Sequence, residues 1–260
     1  MDSHAALAAL GWQIDLGADE AIGDEPIDRF ALDPKPEKPP VQQPTPIPAR
    51  IAEPEIDTAR EAEVAVKGVS SLEDLRTTLA GFEHCDLKKG ARNTVFADGN
   101  PAARLMIIRE APGRDEDREG RPFVGRAGQL LDKMLAAIGM DRASTDPETA
   151  VYITNILPWR PPQNRDPEPA EIAMLMPFVK RHVELVEPDL IVCMGNISCQ
   201  GVLGRRGITR MRGNWDMAFD TPVMPTFHPA YLLRNPIKKR DAWRDLLAIQ
   251  AKLKDAKSGA

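Results

Sequence analysis

The sequence predicts an α/β fold: a three-layer α/β/α sandwich built on a central four-stranded, mostly parallel sheet. Two observations predict it. Four short apolar runs read as buried strands: RLMIIR (104–109), VYITNI (151–156), DLIVCM (189–194) and PVMPTF (222–227). Helical segments at 127–138, 169–186 and 198–203 separate them, and a last one at 239–254 follows. Short strands alternating with helices imply right-handed crossovers, a parallel sheet and helices on both of its faces.

The elements follow in order along the chain. Residues 1–33 form an acidic N-terminal segment in which Ala5, Leu7, Leu10 and Ile14 set a weak helical pattern, with Trp12 as its anchor. Residues 34–70 read as a proline-rich disordered linker. Eight prolines fall within the 21 residues from Pro34 to Pro54, with no apolar periodicity to offset the entropy of ordering. The domain proper runs over 71–260. It opens on a helix over 71–80, started by a Ser-x-x-Asp cap from Ser71 to Asp74.

The net charge of −5 conceals an asymmetry. Residues 1–70 hold 14 acidic against 6 basic side chains, while the other 190 residues hold 25 against 28. Basic residues gather late, in RRGITRMR (205–212) and at Arg234, Lys238, Lys239, Arg240 and Arg244. Such clusters suit either a solvated face or a surface for a polyanion. Three cysteines without a CxxC pair do not make a disulfide framework, so a reducing, cytoplasmic compartment is expected. No apolar run approaches the roughly 18 residues of a membrane span, and the N-terminus lacks the basic start of a secretion signal.

Three segments carry the chemistry, and each leaves a strand at the edge where open α/β sheets bind ligands. REAPGRDEDREGRPFVG (109–125) turns sharply at Pro112 and Gly113, so Glu110 and the backbone N–H groups after it face outwards. Its Phe123, in an otherwise polar loop, is either a core residue or a platform for a flat ligand. TNILPWRPPQNR (154–165) ends its strand at Asn155, which is either a turn former or a paired donor and acceptor for a pyrimidine edge. Arg160, Asn164 and Arg165 follow at a spacing that reaches phosphates. TFHPAYLLR (226–234) places His228 at the same edge, followed by Leu232 and Leu233, which either pack inwards or wedge into a base stack.

Taken together, REAPGRDEDREGRPFVGRAGQLL, NILPWRPPQNRDP and HPAYLLR resemble the family 4 uracil-DNA glycosylases, whose patterns are GEAPG…EDxxGxPFVGxAGxLL, NI…RPPxNRxP and HPxxLLR. The resemblance covers about Cys85 to Leu253. It implies hydrolysis of the N-glycosidic bond of uracil in DNA by base flipping, the first step of base excision repair. It assigns Glu110, His228 and Asn155 to catalysis. It assigns Ala111, Glu116, Phe123, Asn155 and Asn164 to uracil binding. Leu232, Leu233, Arg234 and Arg165 fall to DNA binding, with Leu232 and its neighbour filling the gap left by the flipped nucleotide. The expected partner is uracil-containing DNA, met by a monomer with no membrane attachment. The N-terminal segment is a candidate docking element for a protein partner.

Two departures stand out. Family members of the iron–sulfur type hold a cluster on four cysteines. Here only Cys85 keeps such a position, while Phe82, Trp159 and Leu175 replace the rest. One thiolate cannot hold a cluster that needs about four, so no cofactor and no metal are expected. The second departure is Arg109, where the family has glycine. Its side chain either points away harmlessly, contributes a charge near DNA, or obstructs the pocket. These departures motivate a competing expectation, a catalytically degenerate module that recognises damaged or single-stranded DNA. A nucleotide-binding protein unrelated to DNA is disfavoured by the lack of GxGxxG and GxxxxGK[ST].

Overall fold

The computed structural model describes residues 2–15 and 57–258. Helix α1 (Ser3–Asp15) stands where the N-terminal periodicity predicts a helix, with Leu7 and Leu10 exposed. The side chain of Trp12 and the proline-rich stretch from Pro34 to Pro54 lie outside the described residues.

The remaining elements are α2 (Thr58–Val66), α3 (Leu72–Gly81), α4 (Leu87–Gly90), β1 (Ala97–Gly99), β2 (Leu105–Arg109), α5 (Arg114–Glu119), α6 (Arg126–Ala136) and β3 (Val151–Asn155). After these come α7 (Pro169–Val186), β4 (Leu190–Met194), α8 (Asn196–Leu203), α9 (Ile208–Met211), β5 (Asp216–Ala218), β6 (Thr221–Thr226), α10 (Pro229–Arg234) and α11 (Lys239–Ser258). The strand order is β1-β3-β2-β4-β6-β5. The four predicted strands β3, β2, β4 and β6 run parallel at the centre. The expected four-stranded sheet is in fact six-stranded, because β1 and β5 add short antiparallel edges. Neither Ala-Asp-Gly nor Asp-Met-Ala carries an apolar run, and both stay half-exposed, so hydrophobic periodicity could not announce them.

Alternation along the parallel strands divides the core into two layers. Met106, Ile108, Tyr152, Ile191, Cys193 and Val223 face α2, α3, α7 and α8. Leu105, Ile107, Ile153, Val192 and Met224 face α6 and α11. Burial on both faces is why β2, β3 and β4 are apolar or small along nearly their whole length. The helix expected over 71–80 is α3, with the Ser71 hydroxyl accepting from the Asp74 N–H at 3.1 Å.

The linker boundary at residue 70 needs correction. Residues 57–70 are folded: Asp57 caps α2, Ala62 is fully buried, and the Val69 carbonyl accepts from Arg181 Nε at 2.8 Å. Helix α2 packs on α7 through alanine and valine, residues too small to stand out beside a proline-rich stretch. Among the described residues no helix is long and apolar enough to cross a membrane.

Candidate active site at the sheet edge

The three segments meet as expected, because the backbone keeps pairing beyond the strands. Ile156 N–H donates to Arg109 O at 2.8 Å and Leu157 N–H to Glu110 O at 3.0 Å, lacing the first two segments together. Gly195 N–H donates to Thr226 O at 3.0 Å and draws in the third. Below it, Thr226 Oγ1 donates to buried Asp245, which also pairs with Arg212. A cavity of about 580 Å³ opens at this edge, with Arg109, Glu110, Glu116, His228 and Arg234 in its wall.

In the first segment Glu116 binds back on the turn, its Oε2 accepting from Gly113 N–H at 3.0 Å. Phe123 sits at φ 55°, a left-handed conformation that costs a phenylalanine energy. Helix α6 holds it there. A Cβ at Gly128 would collide with the Phe123 carbonyl, so only glycine lets the helix lie against that backbone. The Phe123 ring stacks on His228 with centroids 5.4 Å apart and planes at 26°. Arg109 is buried against the same ring, its Cζ 4.5 Å from the centroid and its Nη1 3.4 Å from Glu116 Oε1.

Asn155 ends β3 with 5% exposure; its Nδ2 donates to Val95 O at 3.0 Å, while buried Oδ1 has no partner. His228 caps α10, and its Nδ1 accepts from Ala230 N–H at 3.1 Å. A nitrogen that accepts cannot carry a proton, so in the neutral ring the proton sits on Nε2. That Nε2 is buried and unpartnered. Desolvation, then the nearby charges of Arg109 and Arg234, push the His228 pKa down to about 3. Burial raises the Glu110 carboxyl above its ordinary range, with Arg109 opposing. The edge therefore presents a neutral N–H donor, an amide acceptor and a partly desolvated carboxyl beside an aromatic ring.

Other expected site residues lie elsewhere. Asn164 is exposed at φ 55°, its Oδ1 is taken by Arg160 Nε at 2.8 Å, and it is not among the residues of the cavity wall. Arg165 forms a forked pair with Glu171, with Nη1 to Oε2 at 2.9 Å, and so braces the start of α7. Leu232 is 1% exposed and packs with Phe227 and Ala242, which removes it as a wedge. Leu233 stays half-buried, and Arg234 is exposed at the cavity wall. Two of the four arginines of the basic run are paired, Arg205 with Asp216 and Arg212 with Asp245. Sequence reasoning missed Gly195 and Asn196 in the cavity wall. They follow β4, and the rule that sites lie beyond strand ends applied to that strand as to the other three.

A family model for the uracil DNA glycosylase superfamily matches residues 96–247. The chain belongs to that superfamily. Three type-4 uracil-DNA glycosylases are among its relatives. The protein of Sulfurisphaera tokodaii is 38% identical over 192 residues, covering 70% of this chain and 84% of that one. That of Archaeoglobus fulgidus is 38% identical over 192 residues, covering 70% and 92%. That of Thermotoga maritima is 42% identical over 154 residues, covering 58% and 77%.

In this superfamily member the residues at the cluster positions do not fit an iron–sulfur group. Phe82, Cys85, Trp159 and Leu175 are buried in one apolar cluster. Phe82 packs edge-on against Phe178 at 5.2 Å, and Trp159 Nε1 donates to Thr94 Oγ1 at 3.1 Å. Desolvation raises the Cys85 pKa, which disfavours the thiolate a metal requires. Among the described residues no group of three or more His, Cys, Asp or Glu is placed to hold a metal ion.

Proposed function

We infer that this chain is a uracil-DNA glycosylase acting in base excision repair, hydrolysing the bond between uracil and deoxyribose. The observation that carries the reading is the pair of unpartnered buried atoms, Asn155 Oδ1 and His228 Nε2, at the edge where Phe123 is held. Uracil offers both a match: its N3–H donates to Asn155 Oδ1, and its O2 accepts from His228 Nε2–H. Cytosine has a lone pair at N3, which would face the Asn155 oxygen and leave it unpaired, a strong basis for rejection.

The chemistry follows from those contacts. As the C1′–N1 bond breaks, its electrons pass to uracil and positive charge grows on the sugar. The neutral His228 Nε2–H stabilises negative charge on O2 as a hydrogen-bond donor and keeps its proton throughout. Glu110, with the Ala111 backbone, orients water towards C1′ and takes its proton as the new C–O bond forms. Reaching C1′ requires the nucleotide to leave the helix, with Leu233 filling the gap and Arg234 on the backbone. The apolar packing around Cys85 supports a protein that carries no cluster. Monomeric action on DNA in the cytoplasm, and partner docking through α1, complete the proposal.

The test is uracil release from labelled single-stranded and duplex oligonucleotides, with iron determined on the same preparation. Release with no stoichiometric iron is expected. Asn155→Ala and His228→Ala should each lower kcat/KM by about 10²–10³-fold, the scale of losing one aligned donor or acceptor in a desolvated site. No release from either substrate sinks the reading, and leaves a DNA-binding module.

A further inference from the structure

Alternation along β2 sends Arg109 to the same side as Leu105 and Ile107, the side on which Phe123 lies. Its guanidinium covers that ring closely enough, with His228 beside it, that Phe123 is 1% exposed and presents no open face. The cavity wall includes Arg109 and His228 but not Phe123, so the ring lies behind the arginine, while Asn155 pairs in register with Arg109 on the adjacent strand. The resting arrangement is poorly satisfied. Arg109 Nε and Nη1 are buried without hydrogen-bond partners, and the 3.4 Å approach to Glu116 is an ion pair without hydrogen-bond alignment. A planar cation stacked on a ring and tethered by one misaligned ion pair occupies the place another planar group would take, and it can swing off the ring without leaving the reach of Glu116.

We propose that Arg109 is a gate: its guanidinium stacks on Phe123 where a flipped base would stack, and uracil enters only by displacing it into the cavity. The inference rests on the reading that uracil stacks on Phe123. Displacement has somewhere to go, since the carboxylates of Glu110, Glu116 and Asp166 lie in the cavity wall. The gate also selects. A base is admitted only when stacking and its bonds to Asn155 and His228 together outweigh the cation–ring contact. A base unable to make those bonds leaves the arginine in place.

Binding of free uracil to the purified full-length chain tests this. Titrations compare wild type, Arg109→Gly, Arg109→Ala, Phe123→Ala and the Arg109→Gly/Phe123→Ala pair, with melting curves to establish that each is folded. The gate predicts that both Arg109 variants bind uracil about tenfold more tightly, a change of ~1.4 kcal/mol. It also predicts that Arg109→Gly gains nothing once Phe123 is alanine, because the two residues act as a coupled pair. Unchanged or weaker uracil binding in both Arg109 variants overturns it, and a matching fall in kcat would make Arg109 a cation serving the departing uracil. If Phe123→Ala fails to weaken uracil binding in the Arg109→Gly background, the stacking reading itself is wrong, and the gate falls with it.

Discussion

Leu232 and Leu233 are neighbours in sequence with opposite surroundings. Helix α10 starts at Pro229, and its phase turns Leu232 into a pocket with Phe227 and Ala242 while Leu233 keeps part of its surface in solvent. The pair LLR cannot reveal this, because a single helical turn has no periodicity of its own to read. The consequences separate cleanly. Leu232→Ala empties a core position and should destabilise the protein by about 2–5 kcal/mol, lowering Tm. Leu233→Ala should leave Tm within a degree or two, yet weaken uracil release from duplex DNA several-fold while sparing single-stranded substrate, where no stack needs filling. Equal losses on the two substrates would show that Leu233 does not act as the wedge.

At the scale of elements, α6 matters to the site through its packing, besides placing Arg126 and Ala127 in the cavity wall. It presses Gly128 against the Phe123 carbonyl and so fixes a strained φ of 55°. In Gly128→Ala the methyl group would force α6 and the Phe123 loop apart. We expect kcat/KM to fall by roughly 10²-fold, in line with losses from small misplacement of a binding group, with Tm also lowered. Wild-type uracil binding in Gly128→Ala would show that the loop does not depend on this contact. The four central strands were legible because burial on both faces writes short apolar runs into the chain, and six of the eleven α-helices among the described residues because their apolar residues recur at helical spacing. Strands β1 and β5 were not, since edge strands need only backbone pairing. The same limit applies to charge. RRGITRMR announces four arginines, but not that Arg205 and Arg212 are already bound to carboxylates distant in sequence. That Asn155 and His228 share one edge was legible because the strand ends of a parallel sheet lie together; the stacking of Phe123 on His228 was not. Alternation along β2 gives the side of Arg109, and only the structure shows that Phe123 lies on that side.

The molecule as a whole should lose stability in acid through two buried histidines, one on α7 and one at the sheet edge. His182 lies between Tyr152 and Thr154, with Nε2 2.8 Å from the Tyr152 hydroxyl and Nδ1 3.5 Å from Thr154 Oγ1. Thr154 Oγ1 donates to Phe96 O at 2.8 Å, so it accepts from His182 Nδ1–H and the tyrosine donates to Nε2. That arrangement fits only the neutral ring, and desolvation pushes the His182 pKa from 6.5 down to about 3. His228 is likewise held at about 3. Both folded-state values are depressed, so their contribution is complete above pH 6.5 and is lost as pH falls towards 3. Within that window the unfolded chain takes up protons that the folded chain refuses, weakening the fold by up to about 1.4 kcal/mol per pH unit for each histidine. The raised pKa of Glu110 works in the opposite direction and offsets part of the loss. Denaturant unfolding at pH 7 and pH 4.5 measures the effect. His182→Gln, which keeps a donor and an acceptor without a titrating ring, should fall by less between those pH values than wild type. Uracil release at pH 7 should stay close to normal, because His182 lies outside the site. Parallel losses in the two proteins would mean that acid unfolds the chain through other groups.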